Sequence, residues 1–564
     1  MLKQEIENLI EKTIGKRAMV EMPDNFSYGD FATNIAIKER LNPQEIADKL
    51  KTSSLFEKVE VVNGFINFFL KPKYFLENLQ QILKQKEKYG SSKIGNRQTI
   101  VIDYSGPNIA KPFGIGHLRS TIIGQAIYNI YKFLGYKAIG DNHLGDWGTQ
   151  FGKLISRIEL KIKNEKLLNS KGITTSKASG SWQIKELTID DLEKLYVEFH
   201  KEAEQNPALN DEARAWFKKL EQGDKKAKKI WQACKTISLE EFDRIYNLLG
   251  VKIDNAFGES FYQDKMQEVF GEMKNKGLTK QSEGAWVVEF GNELPSLVLI
   301  KSDGATTYFL RDLATIQYRL KKWKPQIIAY EVGVDQSLYF KQLFKTIELL
   351  RWSNDVKFEH ISHGLMRSKT GKFSTRRGDT VHLEDVLTEA IDKASQLAGE
   401  GDKKLAQQVG IGAVKYNDLS QHHSRDIVFD WEKILNLKGN SGPYLQYAFA
   451  RTQSVLEKSS RPQGSVSLGK VDFNELQEIE KVILKKLLHF PQVVEQAAKT
   501  FSPNLICNYA FDLAQSFNLF YNEVSILKAD TKEQKDFRLA LTFGVGQIIK
   551  NSLTLLGIES PNKM

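Results

Sequence analysis

Apolar positions along the chain change their spacing several times, and each spacing predicts a different element. From Thr99 an unbroken apolar run, TIVIDY, reads as a strand. A loop rich in Gly and Pro follows, then a helix in which Leu118, Ile122, Ala126, Ile130 and Leu134 recur every four residues. The alternation returns with IIAYEV as a strand, GVDQ as a loop, a helix through Leu350 and the strand-like VKFEHISHGLM. Strands and helices in alternation predict a parallel sheet with ligands at the carboxyl ends of its strands.

Three other stretches differ. Residues 1 to about 95 combine an amphipathic opening helix (Leu2, Ile6, Leu9, Ile10, Ile14), a Gly-bearing turn over 25–30 and strand-like pieces over 59–62 and 65–70, the pattern of a small α+β module. Residues 155–250 are charged and mostly helical in pattern, with a polar Ser, Thr, Lys and Gly segment over 169–182 that reads as a solvated loop. From Gly442 onward the chain reads as helical, with Leu476, Ile479, Ile483, Leu484 and Leu487 as one stripe behind a capping pattern at Asp472 and Glu475. There is no internal repeat.

Length and composition narrow the class. A chain of 564 residues is too long for one core, so several domains are expected. No apolar run approaches the roughly 20 residues that cross a bilayer, and the charged opening helix is unlike a signal peptide. A cytoplasmic location and no membrane partner are therefore expected. Cys234 and Cys507 are the only cysteines, which excludes a cysteine-rich zinc site and predicts two buried thiols; no metal ligand set is expected. The net charge of +10 and a pI near 9.0 suit an acidic polymer as partner, nucleic acid first.

Two loops carry candidate chemistry. Gly114, Ile115, Gly116 and His117 stand where a helix begins after the first strand; glycines let the backbone approach an anion, first-turn N–H groups point at it, and the imidazole adds a donor. The expected ligand is a nucleotide phosphate. The loop MRSKTGKFSTRRGDT crowds Arg367, Lys369, Lys372, Arg376 and Arg377 beside two glycines, a set that can close over a triphosphate.

These loops resemble the two signatures of class I aminoacyl-tRNA synthetases, and the surrounding text resembles the arginine-specific family nearly throughout. The matching stretches are SGPNIAKPFGIGHLRSTIIG, NHLGDWGTQFG, KSDGATTYFLRDLA, VDQSLYFKQLF, STRRGDTVHLEDVL, FDWEKILNLKGNSGPYLQYAFAR and LLGIESPNKM. The resemblance implies a multidomain α/β chain: an N-terminal α+β module that touches the tRNA elbow (1–95), a Rossmann-like catalytic domain (96–385) with a helical insertion (about 155–250), a helical connector (386–441) and an all-α anticodon-binding bundle (442–564). It implies activation of L-arginine by ATP, with Mg2+ accompanying the nucleotide and no zinc. Esterification of the terminal adenosine of tRNA(Arg) follows, by a monomer that needs bound tRNA before it forms the adenylate.

Carried over by position, His117 and Lys372 would be catalytic, and Gly114, Gly116, Phe373 and Ser374 would join them in holding ATP. Asn108 and Gln336 would hold the backbone end of arginine, and Glu259, Tyr308 and Asp312 the guanidinium. A guanidinium is planar, permanently charged and offers five donors, so a selective pocket needs carboxylates, and Tyr308 and Asp312, four apart in a helical pattern, share a face. Tyr444, Tyr447, Phe449 and Arg451 offer aromatic and cationic surface for unstacked tRNA bases. The chain departs from the family pattern in two places: Gly114 stands for the first signature His, and Phe373 with Thr375 and Arg376 replaces the usual second signature, leaving out its second Lys. A cysteinyl-type ligase would need zinc-binding cysteines that this chain lacks. A catalytically silent tRNA-binding paralogue is the alternative.

Overall fold

The computed structural model describes residues 2–23, 25–163, 173–175, 182–184, 187–368, 381–398, 402–459, 468–469 and 471–564. They divide into two units, one of 93–401 with 413–434, the other of 1–92 with 402–412 and 435–564.

The first unit is built on a parallel sheet of β1 (Thr99–Asp103), β2 (Lys137–Asp141), β3 (Ile327–Gly333) and β4 (Lys357–His363), in the order β4-β3-β1-β2. All five residues of β1 are buried, which explains its unbroken apolar run: a central parallel strand meets packed side chains on both faces. Three helices pack around it: α1 (Gly116–Phe133) follows β1, α2 (Tyr308–Trp323) precedes β3 and α3 (Ser337–Leu350) follows β3. Leu310, Leu313, Phe340 and Ile347 from α2 and α3 join Val101 and Ile328 of the sheet in one core. Because the chain runs from β1 to β2 on one side and returns to β3 and β4 on the other, the order reverses between β1 and β3. A crevice opens at the carboxyl ends there, the usual ligand position of such sheets.

A buried cation fixes α2 to the sheet. Arg319, with no side-chain exposure, donates from Nε to Asp141 Oδ2 at 2.7 Å and from Nη2 to Asp103 Oδ2 at 2.7 Å. Desolvating a guanidinium costs several kcal/mol unless carboxylates take its protons, so two strand-end aspartates are needed where one helix places one arginine.

The region read as a helical insertion forms helices Ile189–Gln205, Ala208–Glu221 and Lys225–Leu249 after Thr149–Lys163. Thr188 and Asp191 make a reciprocal cap, Asp224 caps the longest helix, and Gly250 at φ 63° ends it. Most of the polar segment 169–182 lies outside the described residues. Cys234 and Cys507 are both buried thiols.

In the second unit, strands Phe31–Thr33, Phe65–Leu70 and Phe56–Val62 make an antiparallel sheet with Phe65–Leu70 central, beside helices Leu2–Ile14, Pro43–Leu50 and Lys73–Gln85. Four long helices, Gly442–Lys458, Glu478–Lys499, Asn504–Glu523 and Lys532–Leu555, make up its helical part. Ile483, Leu484 and Leu487 are buried as the stripe predicts. The cap differs from expectation. Asp472 caps only the short turn Phe473–Glu475, Leu476 turns extended and buried, and the long helix starts behind a Gln477–Glu480 capping box. Two overlapping cap patterns compete here, and burying Leu476 selects the second. No helix among the described residues is long and apolar enough to cross a membrane.

Candidate active site

A cleft of about 660 Å³ opens at the switch point, lined from the ends of β1 and β3, the start of α1, and α2 and α3. Asn108, Gly114, Gly116, His117, Asp312 and Gln336 all line it; Glu259 and Tyr308 are not among its lining residues. Lys372, Phe373 and Ser374 lie outside the described residues.

The loop after β1 is held by cross-links that offset its local strain. Ser105 and Ala110 sit at φ 78° and 65°, conformations that cost a non-glycine residue about 1–3 kcal/mol. Ser105 N donates to Ser120 Oγ at 2.9 Å, Gly106 N to Asn142 Oδ1 at 2.9 Å, and Ala110 N to Ser238 Oγ at 2.8 Å. Asn108, between them, packs on Gly145, where a Cβ would lie 2.0 Å from its Oδ1.

No side chain caps the start of α1; His117 N and Leu118 N turn back onto the carbonyls of Gly114 and Ile115 at 3.0 and 3.1 Å, which leaves the Gly116 N–H as the first-turn donor for a ligand. A Cβ on Gly116 would meet nothing within 4 Å, so the helix start faces open space. Gly114 N donates to His117 Nδ1 at 3.1 Å, fixing the ring, and burial pushes this imidazole below its usual pKa, which keeps it neutral at neutral pH. The turn is also tied to the far side of the second basic loop: Ile115 N donates to Val381 O at 3.0 Å and Leu383 N to Phe113 O at 2.7 Å.

On the cation side, Asp312 receives a hydrogen bond from Tyr339 Oη and lies 3.5 Å from His143 Nε2. Neither nitrogen of His143 has a hydrogen-bond partner among the described residues. Burial raises the Asp312 carboxyl above its usual range, against the pull of His143 and Tyr339. Glu259 opens the turn Glu259–Lys265 and pairs with Arg311 Nη1 at 3.0 Å; burial raises its carboxyl too, with Arg311 opposing. Tyr308 is 63% exposed at the start of α2 and reaches the same corner through Tyr339, ring centroids 5.5 Å apart. Gln336 Nε2 donates to Asp335 Oδ2 at 3.2 Å.

Sequence reasoning missed His143, Tyr339, Arg311 and the buried pair Glu331–His363, whose Oε1 and Nδ1 are 2.9 Å apart in the cleft wall. His143 lies within NHLGDWGTQFG, so the stretch was visible although the residue's place was not.

In the helical part of the second unit, Arg451 lies 4.8 Å from the ring centroids of both Tyr447 and Tyr521 and donates to Asn518 Oδ1 at 2.7 Å. Tyr447 and Tyr521 are exposed, and Tyr444 is half-buried, its hydroxyl accepting from Asn518 at 2.8 Å. Phe449, expected to offer surface, is 3% exposed and packs in the core: helical spacing alone does not say which stripe faces inward.

Residues 78–431 match the family described as tRNA synthetases class I (R), catalytic domain. Residues 445–564 match the DALR anticodon binding domain, and 1–70 the arginyl tRNA synthetase N terminal domain. The chain is 39% identical over 580 residues to an arginine–tRNA ligase of Clostridium beijerinckii, covering 100% of this chain and 98% of that one. It is 41% identical over 574 residues to one of Clostridium botulinum (strain Loch Maree), covering 99% and 97%. Among solved structures, arginyl-tRNA synthetase of Plasmodium falciparum is similar with TM-score 0.82 at 25% identity, over 100% of this chain and 99% of that one. The Thermus thermophilus arginyl-tRNA synthetase shares the fold, with TM-score 0.82 at 22% identity over the whole of both chains. With a catalytic match over more than half its length and identity from end to end, the chain belongs to the arginyl-tRNA synthetase family.

Proposed function

We propose that this chain is an arginine–tRNA ligase that joins L-arginine to tRNA(Arg) in two steps within the cleft. An arginine carboxylate oxygen attacks the α-phosphorus of ATP and pyrophosphate leaves; a ribose hydroxyl of the terminal adenosine then attacks the adenylate carbonyl and AMP leaves. No covalent enzyme intermediate is involved, so the protein contributes positioning and electrostatics. The observation that carries this reading is the joining, in one cleft, of an uncapped helix start at Gly116 with the half-buried carboxylate of Asp312.

In this reading Gly114, Gly116 and neutral His117 receive phosphate, with Lys372, Phe373 and Ser374 of the second loop closing the charge. Asn108 and Gln336 hold the backbone end of arginine, and Asp312, Glu259 and Tyr308 the guanidinium end. Mg2+ enters with ATP as counter-ion to its phosphates. Tyr444, Tyr447 and Arg451 meet tRNA bases. The parts of the chain are 1–95 for the tRNA elbow, 96–385 for catalysis, 386–441 as connector and 442–564 for the anticodon, and the enzyme works as a cytoplasmic monomer.

The test is arginine-dependent pyrophosphate exchange with and without tRNA(Arg). Exchange is expected with tRNA present; none in either condition would leave a silent tRNA-binding paralogue. Asp312→Ala is expected to raise the KM for arginine by about a hundredfold or more while leaving tRNA affinity close to wild type, since it removes the carboxylate that meets the substrate cation and touches nothing at the tRNA surface. Equal losses in both would place the pocket elsewhere.

A further inference from the structure

Asp146, fully buried, is a knot between the helical insertion and the turn that carries Glu259. From helix Lys225–Leu249, Lys235 Nζ donates to Asp146 Oδ2 at 2.6 Å and Trp231 Nε1 donates to Asp146 O at 2.8 Å. From the other side, Ser260 N donates to Oδ1 at 2.8 Å and Ser260 Oγ to Oδ2 at 2.7 Å. Gly258 makes room for this carboxylate, because a Cβ there would lie 2.1 Å from Oδ2. Glu259 is thus anchored on both flanks: its own N–H donates to Leu144 O at 3.0 Å, and the next N–H is held by Asp146. Only its side-chain torsions remain free, and Arg311 restrains those.

We infer that Asp146 and Lys235 are positioning residues that aim the Glu259 carboxylate, so that arginine recognition depends on the seating of helix Lys225–Leu249 against the catalytic sheet. The inference rests on the proposed role of Glu259 at the guanidinium. A buried carboxylate that loses its one cation is left uncompensated, and it either takes a proton or draws in water. In both cases its grip on Ser260 loosens, and Glu259 is displaced by the fractions of an ångström that a forked hydrogen bond does not tolerate. ATP, held at Gly114–His117, is not touched by this change.

The experiment measures KM and kcat for arginine and for ATP in pyrophosphate exchange with tRNA(Arg), on the full chain. Lys235→Met keeps the side-chain stem and removes the charge; Asp146→Asn keeps the shape. Both are expected to raise the arginine KM by about tenfold, the cost of one weakened charge-assisted bond, with ATP KM and kcat within about twofold of wild type. In the Glu259→Gln background, Lys235→Met is expected to add no further rise, because the group it aims is gone. A full further rise, or an unchanged arginine KM in folded Lys235→Met while Glu259→Gln raises it, overturns the positioning role alone. An unchanged arginine KM in Glu259→Gln itself overturns the guanidinium role of that residue and this inference with it.

Discussion

Arg119 and Asp418, 299 positions apart, form an ion pair in which both side chains are 1% exposed, with Nε 3.1 Å from Oδ2. Three more guanidinium protons go to the carbonyls of Gly364 at 2.7 Å, Arg425 at 2.8 Å and His423 at 3.1 Å. Arg119 lies in the first turn of α1, so one side chain binds the helix start at the cleft to the chain just before the strand Met366–Ser368. Asp418→Asn is expected to destabilise the first unit by about 3–5 kcal/mol, because it leaves a buried guanidinium uncompensated. The double replacement Arg119→Met with Asp418→Leu is expected to lose less than Asp418→Asn. Urea midpoints of the three chains check both statements; a near-neutral Asp418→Asn would show that the carbonyls alone satisfy Arg119.

If Asp312 and Glu259 hold the guanidinium as proposed, their raised carboxyls give arginine binding a pH dependence with a definite sign. A cation binds their ionised forms, and a raised pKa means that each proton stays on to a higher pH than the usual 3.8 or 4.5. Affinity is therefore full above the raised values and falls as pH is lowered through them, with protons released on binding. Calorimetry in two buffers of different ionisation enthalpy should show that release, and Asp312→Asn should reduce it. Binding that strengthens toward acid would contradict the assignment.

Gly145→Ala should act as a displacement of Asn108 without touching Asn108 itself. The new Cβ would lie 2.0 Å from Asn108 Oδ1, and a side-chain end can move where a backbone cannot. The arginine KM is expected to rise by about tenfold, the loss of one hydrogen bond, with the urea midpoint barely shifted. A large loss of stability with unchanged KM would mean that the pair serves only the fold.

For the RNA, the exposed ring of Tyr447 beside Arg451 is the surface to remove. Tyr447→Ala is expected to weaken tRNA(Arg) binding by about ten- to a hundredfold, the range for one stacked base, in filter binding at fixed salt. An unchanged Kd would assign Tyr447 to holding Arg451 in place.

What could be read from the sequence follows the reach of its signals. β1 and β3 are legible because a buried parallel strand writes an unbroken apolar run, and α1 because five apolar residues recur at one spacing. The helical offset of Asp312 from Tyr308 shows only that the two share a face, and it is the family resemblance that singles them out; Gly114 and Gly116 mark the turn before α1 by themselves. Arg119, Asp146, Arg319 and His143 carry no such mark. Each is a polar residue whose meaning depends on a partner that the fold brings from far along the chain: Asp146 meets Lys235 and Ser260, and Arg319 meets Asp103 and Asp141. Local periodicity cannot encode such pairs. Phe449 fails for the opposite reason: its spacing was read correctly, but spacing does not say which face of a helix its neighbours will cover.

The clamp on Arg319 has a bearing on size selection among amino acids. Asp312 sits seven residues before Arg319 on α2, and Arg319 is held to the ends of β1 and β2, so helix and sheet cannot slide past each other. In the proposed site, the span from the Asp312 carboxylate to the strand ends beneath the phosphate turn would therefore act as a ruler of fixed length. On that proposal, a cationic side chain one methylene shorter or longer would satisfy one end of the ruler or the other, and its carboxylate would stand off the phosphorus it must attack.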